Sequence, residues 1–348
     1  VTQFKVADAD GHITESTEQL RPYLEGRYDP ARHWTGRSRF YMRDGWDREL
    51  GNRMTDRAPT AQSWLEFLDR CEIETTFLYP TAGLSIGWVR EPDFAVALCK
   101  AYNDFLHEEF GRVSKRLQWV ALIPFQDPEE GAREVRRAVS ELGAVGVFSP
   151  AIGLRAPLGD RQFHPIYAEA ERLGVPITVH ATVGGPHYYG GDIFNRFVEV
   201  HTLSHPFAQM IQLTGMIFEG VPEKFPRLKI AFMESGCSWV GFWMDRMDEE
   251  WEKRGEIEAP DCTRKPSEYV TSGRLYFHAE ADEKSMPEAV RRLGADVLFY
   301  ATDFPHWDHS APHSIEEMKE RTDLPDEVKQ KILSGTALKM YETALVPA

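Results

Sequence analysis

"LQWVALIPFQDPEEGAREVRRAVSELGAVGVFSP", residues 117–150, reads as two apolar runs with a polar, helix-like stretch between them. "LQWVALIPF" (117–125) and "AVGVFSP" (144–150) are short and rich in Val, Ile and Phe, as strands buried on both faces should be. The stretch between, "DPEEGAREVRRAVSELG" (127–143), opens with Asp127 as an N-cap, Pro128 in the first turn and two glutamates after it. It stops at Gly143, where a helix C-terminus belongs. Strands that alternate with helices point to a parallel sheet.

The same alternation runs along the chain in both directions. Further apolar runs are "FKVADAD" (4–10), "IETTFLYP" (73–80), "VPITVHAT" (175–182), "LKIAFMES" (228–235), "RLYFHAE" (274–280) and "VLFYATDFP" (297–305). Another helix-like stretch is "FHPIYAEAERLG" (163–174). Eight strands is the number that closes a (β/α)₈ TIM barrel, and 348 residues fit one such domain, 1–348, with elaborated βα loops. No Gly-, Pro- or Ser-rich linker, solenoid repeat or low-complexity tract interrupts it. Residues 15–60 and 183–204 exceed ordinary loop length, and long βα loops are where a barrel keeps its substrate-binding parts.

Composition narrows the function. With 42% hydrophobic residues, nine Trp and twenty Phe, the chain can fill a sizeable core. A net charge of −15 argues against nucleic acid and anionic membrane surfaces as partners and leaves a small-molecule substrate. The four cysteines, at 71, 99, 237 and 262, lack CxxC spacing and fit reduced thiols. No apolar run approaches the roughly 18–20 residues that span a bilayer, and no basic-then-apolar signal segment opens the chain. A cytoplasmic protein is expected. "HPFAQMIQLTGMIFEG" (205–220) carries apolar residues on more than one helical face, which predicts a homo-oligomer, a dimer by symmetry.

Barrel chemistry gathers at the C-terminal ends of the strands. There the sequence places Asp10 with His12 just beyond, His180, Glu234, His278, and Asp303 with His306 nearby. In a strand, residues two apart share a face, so Asp10 and His12 can aim together into the mouth. His180 and Asp303 can reach the same point from across the ring. Two imidazoles and two carboxylates suit Zn²⁺ or Mn²⁺, zinc being expected first. Each position taken alone has a structural reading: a hydrogen-bonded histidine, or an aspartate capping the next helix. Jointly they fall on strands one, five and eight of a barrel inferred independently.

Asp-x-Asp-x-His at strand one, "VPITVHA" at strand five and "ATDFPH" at strand eight resemble the amidohydrolase superfamily. So do "HPFAQM" (205–210), "FEGVPEKFPRLKIAFMESG" (218–236) and "ILSGTALKMY" (332–341). The resemblance is to the amidohydrolase-related branch, with the aminocarboxymuconate-semialdehyde, resorcylate and carboxyvanillate decarboxylases. It implies one divalent metal held by Asp10, His12, His180 and Asp303. Two departures stand out: Asp10 where relatives often carry His or Glu, and Glu234 where many carry a strand-six His. Glu234 is then an acid or base, an extra ligand, or a partner of a ligand imidazole. To act as a proton donor it needs its pKa raised by burial or by Asp303.

Asp303 doubles as a catalytic candidate, and His278 is either a mouth residue or a core histidine. Asp8 and Glu15 are supporting groups. His306 lies beside the metal, and the glycine-flanked loop "GGPHYYGG" (184–191) offers His187, Tyr188 and Tyr189 as a lid over a planar substrate. Trp46, Trp64 and Trp88 line the mouth or the core, and Arg43, Arg90 and Arg196 fit a solvated surface better than an anion grip. The reaction expected is a metal-dependent non-oxidative decarboxylation of an aromatic or unsaturated ring-derived carboxylate. The alternative is an amidohydrolase-type hydrolysis of a C–N, lactone or activated C–C bond by metal-bound hydroxide. A barrel that has lost its chemistry is disfavoured by four intact candidate ligands.

Overall fold

The computed structural model describes residues 4–24 and 60–342. Trp46 and Arg43, and most of the long segment 15–60, lie outside the described residues. Eight parallel strands run in sequence order: β1 (Ala7–Ile13), β2 (Thr75–Pro80), β3 (Leu117–Leu122), β4 (Gly146–Pro150), β5 (Ile177–His180), β6 (Ile230–Phe232), β7 (Leu275–His278) and β8 (Leu298–Phe299). Helices α1 (Ala61–Arg70), α2 (Pro92–Leu106), α3 (Pro128–Ser140), α4 (His164–Leu173), α5 (Phe197–Phe218), α6 (Ser238–Glu258) and α7 (Met286–Leu293) separate them. This is the TIM barrel.

Local sequence explains the elements. In α3 the Asp127 carboxylate accepts from the Glu130 N–H, so one of the helix's orphan donors is satisfied. The helix ends at Ser140, and Gly143 beyond it takes φ +84°. In α4 the cap is Gly174 itself, in the left-handed conformation. Among the described residues no helix is long and apolar enough to cross a membrane.

The ring closes through backbone hydrogen bonds between β1 and the segment after β8. Ala9 N donates to Tyr300 O at 3.1 Å, Asp303 N to Asp10 O at 3.0 Å, and His12 N to Phe304 O at 2.7 Å. Two of these bonds pass through the residues singled out at the mouth. They also shorten the expected eighth strand. The run 297–305 is extended only over Leu298–Phe299, because Tyr300 N turns to Ile332 O and Asp303 takes φ +55°. The sixth strand likewise stops at Phe232, and Glu234 follows it at φ +52°.

Strand β1 is wholly buried, and its register against β2 shifts between Asp8 and Gly11. Gly11 is required there, since a Cβ would meet Thr76 Oγ1, the Trp64 ring and Asp8 Oδ2. Trp64 is a core residue. Its Nε1 donates to His12 O at 3.2 Å, and its ring packs edge-on against Phe67 and Phe304.

Candidate metal centre

Asp10, His12 and His180 meet at the barrel mouth, all fully shielded from solvent. Asp10 Oδ1 is 3.4 Å from His12 Nε2, and Asp10 Oδ2 is 3.2 Å from His180 Nε2. The far nitrogen of each ring is committed to the backbone: His12 Nδ1 to Pro80 O and His180 Nδ1 to Ala181 O, both at 2.8 Å. A carbonyl only accepts, so each Nδ1 carries the proton and each Nε2 turns a lone pair inward in the neutral ring.

Among the described residues these inward atoms have no hydrogen-bond partner. Asp10 Oδ1 and Oδ2, His12 Nε2, His180 Nε2 and Asp303 Oδ1 are buried and unsatisfied. Buried polar atoms are rarely left so, and a cluster of electron-pair donors with no donor hydrogen among them fits a cation. A proton is the smallest cation it accepts. Burial opposes charge on His180, yet Asp10 and Glu234 push its pKa up to about 9. Burial, with His306 and His180 close by, holds His12 well below the ordinary histidine value. Asp303 does not join the tight three-residue group, but it feels the charges of the groups beside it. Burial, then Glu234 and Asp10, raises its pKa well above the usual carboxylate range.

Glu234 sits between histidines. Its Oε2 is 3.0 Å from His205 Nε2 and 3.8 Å from His180 Nε2, and its Oε1 is 3.5 Å from His306 Nδ1. Burial favours the neutral acid, but His205 and His180 hold Glu234 well below the usual carboxylate range. The condition for a proton-donor role, a pKa raised by burial or by Asp303, is therefore not met. The carboxylate with histidine neighbours keeps its charge, and the effect runs the other way, from Glu234 onto Asp303. His306 itself stacks on His12 with centroids 3.9 Å apart, and its Nε2 is 3.0 Å from Thr81 Oγ1.

The supporting carboxylates are accounted for. Asp8 accepts from Thr76 Oγ1 at 2.7 Å, and from Thr302 N and Oγ1 at 2.8 and 3.0 Å, tying β1 to both neighbours. Glu15 accepts from Thr81 N and Gly83 N, which fixes the loop that carries Thr81 to His306. His278 is fully buried at the end of β7, with Nδ1 3.3 Å from Glu280 Oε1.

The loop 184–191 is packed rather than loose. Tyr188 meets the Trp88 ring edge-on at 5.2 Å, and His187 lies 5.8 Å from the same ring. Gly185, at φ +64°, passes so close that a Cβ would enter the Trp88 ring. Tyr189 is buried against Val200 of α5, and its hydroxyl donates to Val183 O at 2.9 Å. Arg196 pairs with Glu199 at the start of α5, and Arg90 donates to Gly153 O, so both are spent elsewhere.

Sequence reasoning gave His205 no role. It lies inside α5, one residue before Pro206, away from any strand end. Its signal was its place in "HPFAQM", a stretch that carried the resemblance without pointing to a single side chain.

Comparison with known proteins agrees with this architecture. A family model described as amidohydrolase matches residues 7–343. A gamma-resorcylate decarboxylase of Rhodococcus jostii is 32% identical over 277 residues, 75% of this chain and 80% of that protein. A 2-amino-3-carboxymuconate-6-semialdehyde decarboxylase of Dictyostelium discoideum is 25% identical over 278 residues, 79% of this chain and 74% of that protein. A solved 5-carboxyvanillate decarboxylase of Novosphingobium aromaticivorans, complexed with manganese and 4-hydroxy-3-methoxy-5-nitrobenzoic acid, superposes with a TM-score of 0.74. That match has 20% identity and covers 97% of this chain and 96% of that one. With barrel, site and family model in agreement over nearly its whole length, the chain belongs to the amidohydrolase family.

Proposed function

We propose that the protein is a metal-dependent, non-oxidative decarboxylase of an aromatic or unsaturated ring-derived carboxylate. The observation that carries this reading is the set of buried, unpartnered atoms on Asp10, His12, His180 and Asp303, in a chain whose relatives are decarboxylases. A divalent ion bound there supplies a positive grip on a carboxylate and a neighbouring oxygen. Two imidazoles and two carboxylates accept zinc or manganese, and the manganese in the Novosphingobium relative sets that ion beside zinc for testing.

The chain's own residues supply the rest. His12 and His180 keep their Nε2 lone pairs inward because Pro80 O and Ala181 O fix their rings. Glu234, kept as a carboxylate by His205 and His180, is the base that relays the proton, with Asp303, whose acid form burial favours, and His278 as the other candidates. In the overall change one proton joins the ring carbon, the bond from that carbon to the carboxylate breaks, and CO₂ leaves. His306, stacked on His12, is the proposed substrate contact nearest the metal ligands, with His187 and Tyr188 on the loop braced by Trp88 as further candidates. Tyr189, whose hydroxyl is committed to Val183 O, supports that loop. A cytoplasmic setting is supported by four free thiols.

We propose further that the protein is a homodimer. Phe207 and Ile211 on α5 and Phe242 on α6 are exposed, and Trp243 Nε1 donates to Thr214 Oγ1 at 2.9 Å, tying the two helices that carry them together.

The test of the reaction is anaerobic incubation with hydroxybenzoates and ring-cleavage carboxylates in the presence of zinc or manganese. Release of CO₂ matched by decarboxylated product is expected. Hydrolysis products without CO₂ would replace this reading with the hydrolase.

A further inference from the structure

We infer that His205 is a positioning residue of the proposed reaction: it holds Oε2 of Glu234 so that Oε1 faces His306. The inference rests on the decarboxylase reading for its kinetic consequence, and on geometry alone for the pairing itself.

His205 Nε2 and Glu234 Oε2 share a hydrogen bond whichever way Ser204 points. Ser204 Oγ is 3.0 Å from His201 O and 2.8 Å from His205 Nδ1, and it has one proton to give. If that proton goes to Nδ1, the ring is neutral and its own hydrogen is on Nε2. If it goes to the His201 carbonyl, Nδ1 donates to Oγ, and one proton lies between Nε2 and the Glu234 carboxylate. In both cases a single hydrogen bond joins His205 Nε2 to Glu234 Oε2 across 3.0 Å. The side chains are only 12% and 14% exposed, so water competes little for this bond.

Helix α5 also grips the backbone beside Glu234. Gln209, one turn after His205 and fully buried, donates both amide hydrogens, to Val179 O at 2.8 Å and to Met233 O at 2.9 Å. Residues four apart lie on one helix face. One face of α5 therefore fixes the peptide before Glu234 through Gln209 and the Glu234 carboxylate through His205. With Oε2 held, Oε1 is left 3.5 Å from His306 Nδ1, and Glu234, His306 and His12 each offer an atom within 4.8 Å of the others. A glutamate has three side-chain rotors, and a misplacement of about 1 Å at a reacting group costs on the order of 10²-fold in rate.

The test is a cycle of His205→Leu, His205→Gln, Glu234→Gln and the Glu234→Gln/His205→Leu double variant, each with its metal content measured. His205→Leu is expected to lose about 10²-fold in kcat with KM within about twofold and metal content unchanged. His205→Gln, which keeps an N–H donor, is expected to regain about tenfold of that loss. The double variant is expected to be no slower than Glu234→Gln alone. Losses that multiply, a KM effect without a kcat effect, or loss of the metal would overturn the assignment. Melting temperatures of the same proteins read the pair without turnover. Shifts that fall short of additive are expected, and strictly additive shifts would overturn the pairing. If the parent decarboxylates nothing in the panel, the proposed function fails while the melting cycle still decides the contact.

Discussion

The backbone N–H of Asp303 donates to the carbonyl of Asp10 at 3.0 Å, so the first and last candidate ligands are set by one hydrogen bond between the two ends of the barrel. The next turn is fixed in the same way, since His306 N donates to Asp303 O at 2.7 Å. Asp303 is thereby held at φ +55°, a region that residues other than glycine seldom occupy. Glu234 is the second carboxylate held left-handed at this rim, at φ +52°. Its turn is secured from outside by Glu283, whose carboxylate accepts from Cys237 N and Ser238 N at the start of α6. Strain of this kind persists where surrounding structure over-determines it, and such sites are enriched in function.

Glu234→Gln keeps the shape of the side chain and removes its ability to exchange a proton. The variant is expected to retain its metal and lose about 10²–10⁴-fold in turnover, the range for a general acid–base group. Glu234→His introduces the imidazole that the family resemblance implies at this position and is expected to recover part of the rate. Elemental analysis beside steady-state kinetics checks both. Loss of metal with activity would make Glu234 a ligand.

Asp8 gives the fold a pH dependence of known sign. Burial, only partly offset by hydrogen bonds from Thr76 and Thr302, raises its pKa from 3.8 to about 6. The folded state therefore binds this proton more tightly than the unfolded chain does. Its contribution is fully present below 3.8 and is lost as pH rises to about 6, the whole amounting to about 3 kcal/mol. Asp8→Asn is expected to flatten the stability profile over that window relative to the parent. Urea unfolding at several pH values checks it, and parallel profiles would contradict the shift.

Much of this site was legible in the sequence because strand ends are legible. Asp10, His12 and His180 are strand residues, and the period-two pattern together with the count of strands brings them to one rim. His205 was not legible. Periodicity says which face of a helix is buried, but not that one imidazole on that face reaches a carboxylate beyond the next strand. The positive φ angles of Glu234 and Asp303 were hidden for a related reason, since their hydrogen-bond partners are supplied by remote segments. The apolar run 297–305 looked like a full strand, yet only the hydrogen bonds of Tyr300 to Ile332 and Ala9 show where the ladder stops.

The exposed apolar residues of α5 and α6 make assembly testable. Light scattering at micromolar concentration is expected to return the mass of two chains, and Phe242→Glu is expected to shift it toward one, since a buried unpaired carboxylate is costly at an interface. A single-chain mass for the parent would contradict the dimer.

Metal content tests the account's central claim most directly. Elemental analysis of the purified protein is expected to find about one zinc or manganese per chain, the share a single cluster of four ligands can hold. His180→Ala removes one Nε2 from the cluster and is expected to lose that ion while keeping the barrel's circular dichroism. Unchanged metal in His180→Ala, or a parent that binds neither ion after exposure to both, would contradict the assignment of Asp10, His12, His180 and Asp303 as a metal centre.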